Sequence, residues 1–196
     1  VVVLASASPR RRELLARLVA DFAVVPSGVD ERLAHPVTPA AVAALAARKA
    51  RAVAARLGGG VVLGADTVVV LDGEALGKPA TADEARAMLR RLRGRAHEVI
   101  TGVAVVDAAS GREATDAVTS RVWMAAYPDA AIEAYVATGE PLDKAGAYAI
   151  QGGGAALVAR YEGSWSAIVG LPLAATWRLL RALGVPVTAE APAPEA

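Results

Sequence analysis

The sequence predicts an α/β protein: a mixed, twisted sheet with flanking helices, arranged as two lobes around a central cleft. Three observations carry that reading. Apolar runs of strand length alternate with capped, Ala- and Leu-rich helical stretches in the first half of the chain, the pattern of parallel strands joined by helices. Two long strand patterns then follow one another at 97–107 and 117–126, joined near Ser110-Gly111, which favours antiparallel pairing. Of 196 residues 55% are hydrophobic but only 4% aromatic, so the core is built from Ala, Val and Leu, and the length suits one domain.

Taken in order, residues 1–5 (VVVLA) read as a buried strand. Ser8-Pro9 fits an N-cap and first helical position, opening a helix to about Leu18. Residues 22–26 are a second short apolar run, and 27–37 a polar loop with Asp30 and Glu31. Thr38-Pro39 repeats the cap signal for a long helix to about Leu57, stopped by Gly58, Gly59 and Gly60. Residues 61–71 are strand-like, interrupted by the polar step Asp66-Thr67. Thr81 and Glu84 stand at capping-box spacing for a helix to about Leu92. Pro128-Asp129 opens a helix ended by Gly139. After a polar, glycine-bearing stretch at 139–154, strands are expected near 155–161 and 166–170, then a helix from Pro172 to about Leu183. The helical segments near 30–57 and 129–138 could form a second lobe beside the sheet. The domain is expected to span 1–184, with 185–196 a loose Pro/Ala-rich tail.

Composition also excludes functions. Zero cysteine removes disulfides, thiolate catalysis and Cys-ligated metal centres. With 21 basic against 20 acidic residues the net charge is +1, so there is no basic footprint for nucleic acid. No apolar run reaches the ~18 residues of a membrane span. Arg10, Arg11 and Arg12 follow the first apolar run, the wrong order for a secretory signal. A cytoplasmic protein with no membrane or nucleic-acid partner is therefore expected.

Three segments could carry chemistry. In SASPRRR (6–12) a strand runs into a Ser-capped helix whose first turn holds three arginines. Cations there oppose the helix dipole, and a bound polyphosphate would account for them. A solvated helix start in an Arg-rich protein is the alternative, with Arg12 as bystander. In GADT (64–67) a carboxylate sits within a Val/Leu-rich strand pair, costly to bury unless paired or metal-bound; Asp66 could hold Mg²⁺ or activate water, or be an ordinary loop Asp. The stretch 139–154 holds Glu140, Asp143, Lys144, Tyr148 and the sole glutamine, Gln151, whose carboxamide can donate and accept on a base edge. A structured hairpin loop is the alternative there. The chain has three lysines, Lys49, Lys78 and Lys144, and all three are candidates for sites that need a compact ammonium. His35 and His97 stand apart from any ligand spacing, and no Walker A loop follows either glycine triplet.

Six collinear motifs resemble the Maf family of nucleoside triphosphate pyrophosphatases, also known as septum-formation inhibitors. They are LASASPRR (4–11), LAARKA (45–50), GADTVV (64–69), GKP (77–79), EPLDKAGAYAIQG (140–152) and GSWSAIVGLPL (163–173). The fifth resembles the branch acting on dTTP and UTP. SRVWM (120–124) departs from the family's usual strand, which touches packing more than the site. The resemblance implies a fold like that of the inosine triphosphate pyrophosphatases, a divalent cation (Mg²⁺ or Mn²⁺), cleavage between the α and β phosphates, and a homodimer. It implies Asp66 as proton acceptor, with Arg10, Thr67 and Gln151 at positions tied to base selectivity. Combined with the residue chemistry, Arg11, Lys49 and Lys78 are expected to clamp phosphates with Ser6 and Ser8. Lys144 is expected on the substrate, and Glu31 and Asp66 on the metal. It also implies a house-cleaning role and a link to cell-division arrest. Two other readings remain. A nucleotidyltransferase would need an acceptor, and a non-catalytic nucleotide sensor acting on septum formation could dispense with Asp66.

Overall fold

The computed structural model describes residues 1–193. Seven strands form one mixed sheet in the order β2-β1-β3-β5-β6-β7, with β4 paired to β3 off this path. The strands are β1 (Val2–Leu4), β2 (Phe22–Val24), β3 (Val61–Leu71), β4 (Glu74–Leu76), β5 (Ala96–Asp107), β6 (Glu113–Met124) and β7 (Val158–Glu162). β1 runs parallel to β2 and β3; the other pairs are antiparallel. The helices are α1 (Pro9–Leu15), α2 (Pro39–Ala54), α3 (Ala82–Leu92), α4 (Asp129–Ala137), α5 (Trp165–Val169) and α6 (Leu173–Ala182). Three short 3₁₀ turns cover much of the stretch from Glu140 to Leu157.

The caps form as the sequence suggests. Ser8 and Thr38 accept from the backbone N–H three residues on. Thr81 Oγ1 accepts from Glu84 N at 3.1 Å, while Glu84 reaches back to Ala80 N–H at 2.7 Å, one residue earlier than a standard capping box.

Some expectations are corrected. Residues 166–170 are not a strand: α5 runs through 166–169 and Gly170 ends it, with Ser164 capping its start by accepting from Ala167 N at 3.0 Å. Their apolar run has strand length, and periodicity does not separate the two forms at that size. Asp66-Thr67 does not interrupt β3, which runs unbroken over eleven residues. The first helix stops at Leu15 and continues only as a turn, and β7 begins at Val158, after a 3₁₀ turn. The tail is not loose at its start. Val185 is buried, Thr188 N donates to Leu18 O, and Trp177 Nε1 donates to Thr188 O. The last three residues of that tail lie outside the described chain.

Strand alternation sorts the core into layers. Val2, Leu4, Leu63, Ala65, Val103 and Val105 face α1, α5 and α6. Val3, Val62, Ala104 and Val106 face α2. Beyond these, Val69, Val99, Val122 and Met124 pack with α3 and α4. The two helical segments grouped above as a possible second lobe therefore belong to different clusters, α2 on the sheet and α4 beside α3.

Helix α2 lies unusually close to the sheet. A Cβ on Gly64 would meet Ala46 O at 2.2 Å, and one on Gly102 would meet Val42 O at 2.5 Å. Both obstacles are backbone, so neither can swing aside. Gly64→Ala or Gly102→Ala should push α2 outward at a cost of about 1–3 kcal/mol, lowering the melting temperature by roughly 2–12 °C. An unchanged melt would show that α2 yields freely.

His97 is 3% exposed, and its Nε2 meets the Tyr148 hydroxyl at 2.6 Å. Its Nδ1 has no partner among the described residues. Burial lowers its pKa to about 4, so the folded protein holds it neutral while the unfolded chain takes up a proton below about 6.5. Stability from this residue is complete above the unfolded value and is lost as pH falls towards 4, by about 3 kcal/mol in all. Urea unfolding at pH 7 and pH 4.5 should show this loss. His97→Gln should flatten the slope, and an identical slope in that variant would clear His97.

Candidate active site

The site forms where β3 loses its neighbour. On one side β1 pairs with Val61–Leu63, and further along β4 pairs with Val69–Leu71. Residues 64–68 between them border no strand on that side. Alternation sends Asp66 to the α2 face and Thr67 to the α1 and α5 face. The gap lets both reach one cleft of about 420 Å³, a size suited to a small ligand.

The residues expected at the site from the sequence all line this cleft: Ser6, Ser8, Arg10, Arg11, Glu31, Lys49, Asp66, Thr67, Lys78, Lys144 and Gln151; Glu140, from the same chemistry-bearing stretch as Lys144 and Gln151, does not. The lining residues arrive from six separate stretches of chain. The β1–α1 turn brings the serines and arginines, the loop before α2 brings Glu31, and α2 brings Lys49. β3 brings Asp66 and Thr67, the loop after β4 brings Lys78, and the 3₁₀ region brings Lys144 and Gln151.

At the centre is a buried charge group. Lys49 Nζ lies 2.6 Å from Asp66 Oδ1 and 2.6 Å from Glu31 Oε1. Lys49 and Asp66 are 3% and 6% exposed, so little water screens them. Burial pushes the Asp66 carboxyl above its ordinary pKa, against the opposing pull of Lys49 and Arg11. Glu31 is more exposed. Burial raises its carboxyl too, but Lys49, Lys78 and Arg11 together outweigh that and leave it below its ordinary value.

Arg11 is a brace as much as a clamp. Its Nε donates to Gly170 O at 2.8 Å, Nη1 to Ser6 Oγ at 3.1 Å and Nη2 to Thr67 Oγ1 at 3.1 Å. Two of its five N–H groups tie α1 to β3 and to the end of α5, a third holds Ser6 in the turn before α1, and two remain. Gly170 adopts φ +138° to offer that carbonyl, backbone that other residues rarely reach. Burial lowers the Arg11 guanidinium, opposed by Asp66 and Glu31.

The other cations differ in freedom. Arg10 and Lys78 face the cleft with no hydrogen bond or ion pair among the described residues. Lys144 is held within its own loop, 2.8 Å from Glu140 O and 2.7 Å from Asp143 Oδ1. Glu140 straps its own loop. It accepts from Tyr135 Oη at 3.2 Å and from Gly153 N at 3.3 Å, closing the 139–154 loop on itself.

Sequence reasoning missed part of the wall. Val69, Val99, Ile150 and Ile168 give the cleft an apolar side, and Thr101 lies behind Thr67 at 2.9 Å. The β3–β5 register sets Thr67 directly opposite Thr101. A lone threonine in a Val-rich strand carries no signal beyond its β propensity.

Among the described residues no group of three or more His, Cys, Asp or Glu side chains could hold a metal. Lys49 occupies one oxygen each of Asp66 and Glu31, leaving Asp66 Oδ2 and Glu31 Oε2 without hydrogen bonds among the described residues. Two such oxygens fit a Mg²⁺ that brings phosphate oxygens as its remaining ligands, the usual arrangement for that ion.

Fold and site thus define a mixed-sheet α/β protein whose cleft sets unpaired cations at its mouth and a buried Lys–Asp pair at its base. Such a cleft is suited to a polyanion with an apolar end. The chain belongs to the Maf family: the family model described as Maf-like protein matches residues 1–183. It is 57% identical over 188 residues to a dTTP/UTP pyrophosphatase of Moorella thermoacetica, covering 95% of this chain and 96% of that one. It is 50% identical over 184 residues to the protein of that name in Pelotomaculum thermopropionicum, covering 93% and 96%. With another in Anaeromyxobacter dehalogenans it shares 53% identity over 194 residues, covering 97% and 98%. Among the described residues no helix is long and apolar enough to cross a membrane.

Proposed function

We propose that this protein is a nucleoside triphosphate pyrophosphatase that hydrolyses dTTP and UTP to the monophosphate and pyrophosphate. The observation that carries the reading is the single cleft in which Lys49 bridges Asp66 and Glu31 beneath the unpaired Arg10 and Lys78. The names of the relatives point the same way.

The triphosphate lies along the cations, with Lys78, Arg10 and the two spare N–H groups of Arg11 against its oxygens and Ser6 and Ser8 beside them. The base enters against Val99, Ile150 and Ile168, within reach of Thr67 and Gln151. Water attacks the α-phosphorus, the bond to the bridging oxygen breaks, and pyrophosphate leaves into the cationic mouth. Asp66 orients this water and is its proton acceptor, and Lys49, bonded at Oδ1, keeps the carboxylate from rotating away. Little covalent chemistry is asked of the protein; positioning and charge stabilisation supply most of the effect. A divalent cation, Mg²⁺ or Mn²⁺, held by Asp66 and Glu31 would neutralise phosphate charge and lower the pKa of a nearby water. In this reading the protein works in the cytoplasm as a homodimer, without nucleic-acid or membrane partner.

Incubation with Mg²⁺ and each of dTTP, UTP, CTP, ATP, GTP and 7-methyl-GTP, with no acceptor, tests this. Monophosphate and pyrophosphate, chiefly from dTTP and UTP, are expected. Preference for 7-methyl-GTP would keep the chemistry and overturn the base assignment. Binding without turnover would favour a sensor, and turnover only with an acceptor a transferase.

A further inference from the structure

The hydroxyl of Thr67 faces the cleft with a fixed polarity, and a residue outside the cleft fixes it. Thr101 is fully buried, and its Oγ1 lies 2.7 Å from Ala167 O. A carbonyl oxygen only accepts, so the single hydroxyl proton of Thr101 is spent there. In its 2.9 Å contact with Thr67 Oγ1, Thr101 must then be the acceptor and Thr67 the donor. Arg11 Nη2 donates to Thr67 in turn, at 3.1 Å. The chain of bonds has one direction: Arg11 to Thr67, Thr67 to Thr101, Thr101 to Ala167 O.

Ala167 O is available because α5 ends abruptly. Gly170 N and Leu171 N both donate to Ser166 O at 2.9 Å. Had the helix continued, Leu171 N would have bonded to Ala167 O. The relay is therefore written into the helix end, and Thr67 keeps no proton for the cleft.

We propose that Thr101 is a positioning residue for base selectivity: through this relay it makes Thr67 an acceptor only towards the ligand. The inference rests on the pyrophosphatase reading above and deepens it. An acceptor at that point suits a base presenting an imide N–H, as uracil and thymine do at N3. It opposes cytosine, whose N3 is itself an acceptor. A hydroxyl free to rotate would satisfy either base.

The test is the ratio of kcat/KM for UTP to that for CTP. In Thr101→Val the Thr67 proton is released, and the ratio should fall by about tenfold, the scale of one neutral hydrogen bond. Thr101→Ser restores the hydroxyl and should hold the wild-type ratio. A merely structural role would lower both substrates together, so an unchanged ratio in a folded Thr101→Val overturns the proposal. The wild-type protein supplies a second measurement that needs no variant: 3-methyl-UTP, which keeps both carbonyls and has no N3 proton, should be hydrolysed at least about tenfold less efficiently than UTP. Equal efficiency overturns the proposal even if Thr101→Val does not fold. If the wild-type protein hydrolyses no nucleoside triphosphate, the pyrophosphatase reading falls and takes this inference with it. If dTTP and UTP are hydrolysed but the ratio and the analogue behave alike, only the relay falls.

Discussion

Asp66→Asn should cut hydrolysis of dTTP and UTP by about 10²–10⁴-fold, the usual contribution of a positioned general base. The fold should survive the change. Asn has the shape of Asp, and its carbonyl oxygen can still accept from Lys49, which keeps Glu31 as its counter-charge. A melting curve close to wild type beside the lost turnover is the expected pair of results. Near-normal hydrolysis by a folded variant would remove Asp66 from the mechanism.

Lys49→Met should damage both stability and turnover. Asp66 is 6% exposed and Lys49 is its only ion-pair partner among the described residues. Removing one partner of a buried pair leaves the other charge uncompensated, at a cost of about 3–5 kcal/mol. Turnover should drop with it, because Asp66 loses both its orientation and the cation that favours its ionised form. Lys49→Arg should not rescue turnover, since a planar fork cannot replace a compact ammonium between two carboxylates. Urea unfolding together with dTTP hydrolysis measures both effects. Wild-type stability in Lys49→Met would mean that water already screens the pair.

The two substitutions bear on different parts of what the sequence makes visible. Asp66 stands out in the chain because a carboxylate inside VVLGADTVVVL has no structural excuse. Lys49 stands out only because lysine is scarce here, and its helix offers no other hint. That it meets Asp66 depends on Gly64 and Gly102, which let α2 settle on the sheet. The carboxylates Glu140 and Asp143 show the opposite case. Both lie in the polar stretch at 139–154, yet one straps a loop and the other pairs with Lys144. Residue type alone does not separate a carboxylate facing ligand from one facing its own loop. The stretch at 166–170 reads as a strand and folds largely as a helix for a related reason, since a five-residue helix is too short to show its period.

What the sequence determined by itself was local or repeated: most strand and helix types, the caps at Ser8, Thr38 and Thr81, and the chemistry-bearing residues, marked by an unusual neighbourhood or, for Lys49, by the scarcity of its type. These depend on backbone preference and side-chain chemistry within a few positions. The six motifs together also placed the chain in its family, since their order along the chain is itself information. Tertiary structure decided which of those residues share a cleft, which cations remain unpaired, and which way a hydroxyl points. Thr101 is the clearest instance: it is distant in sequence from Ala167 and Arg11, and it matters only because β3 and β5 pair in one register and α5 ends one residue before its carbonyl would be used. Hydrogen bonds are directional and depend on distances of an ångström or less, and no pattern along one dimension records which groups folding brings that close.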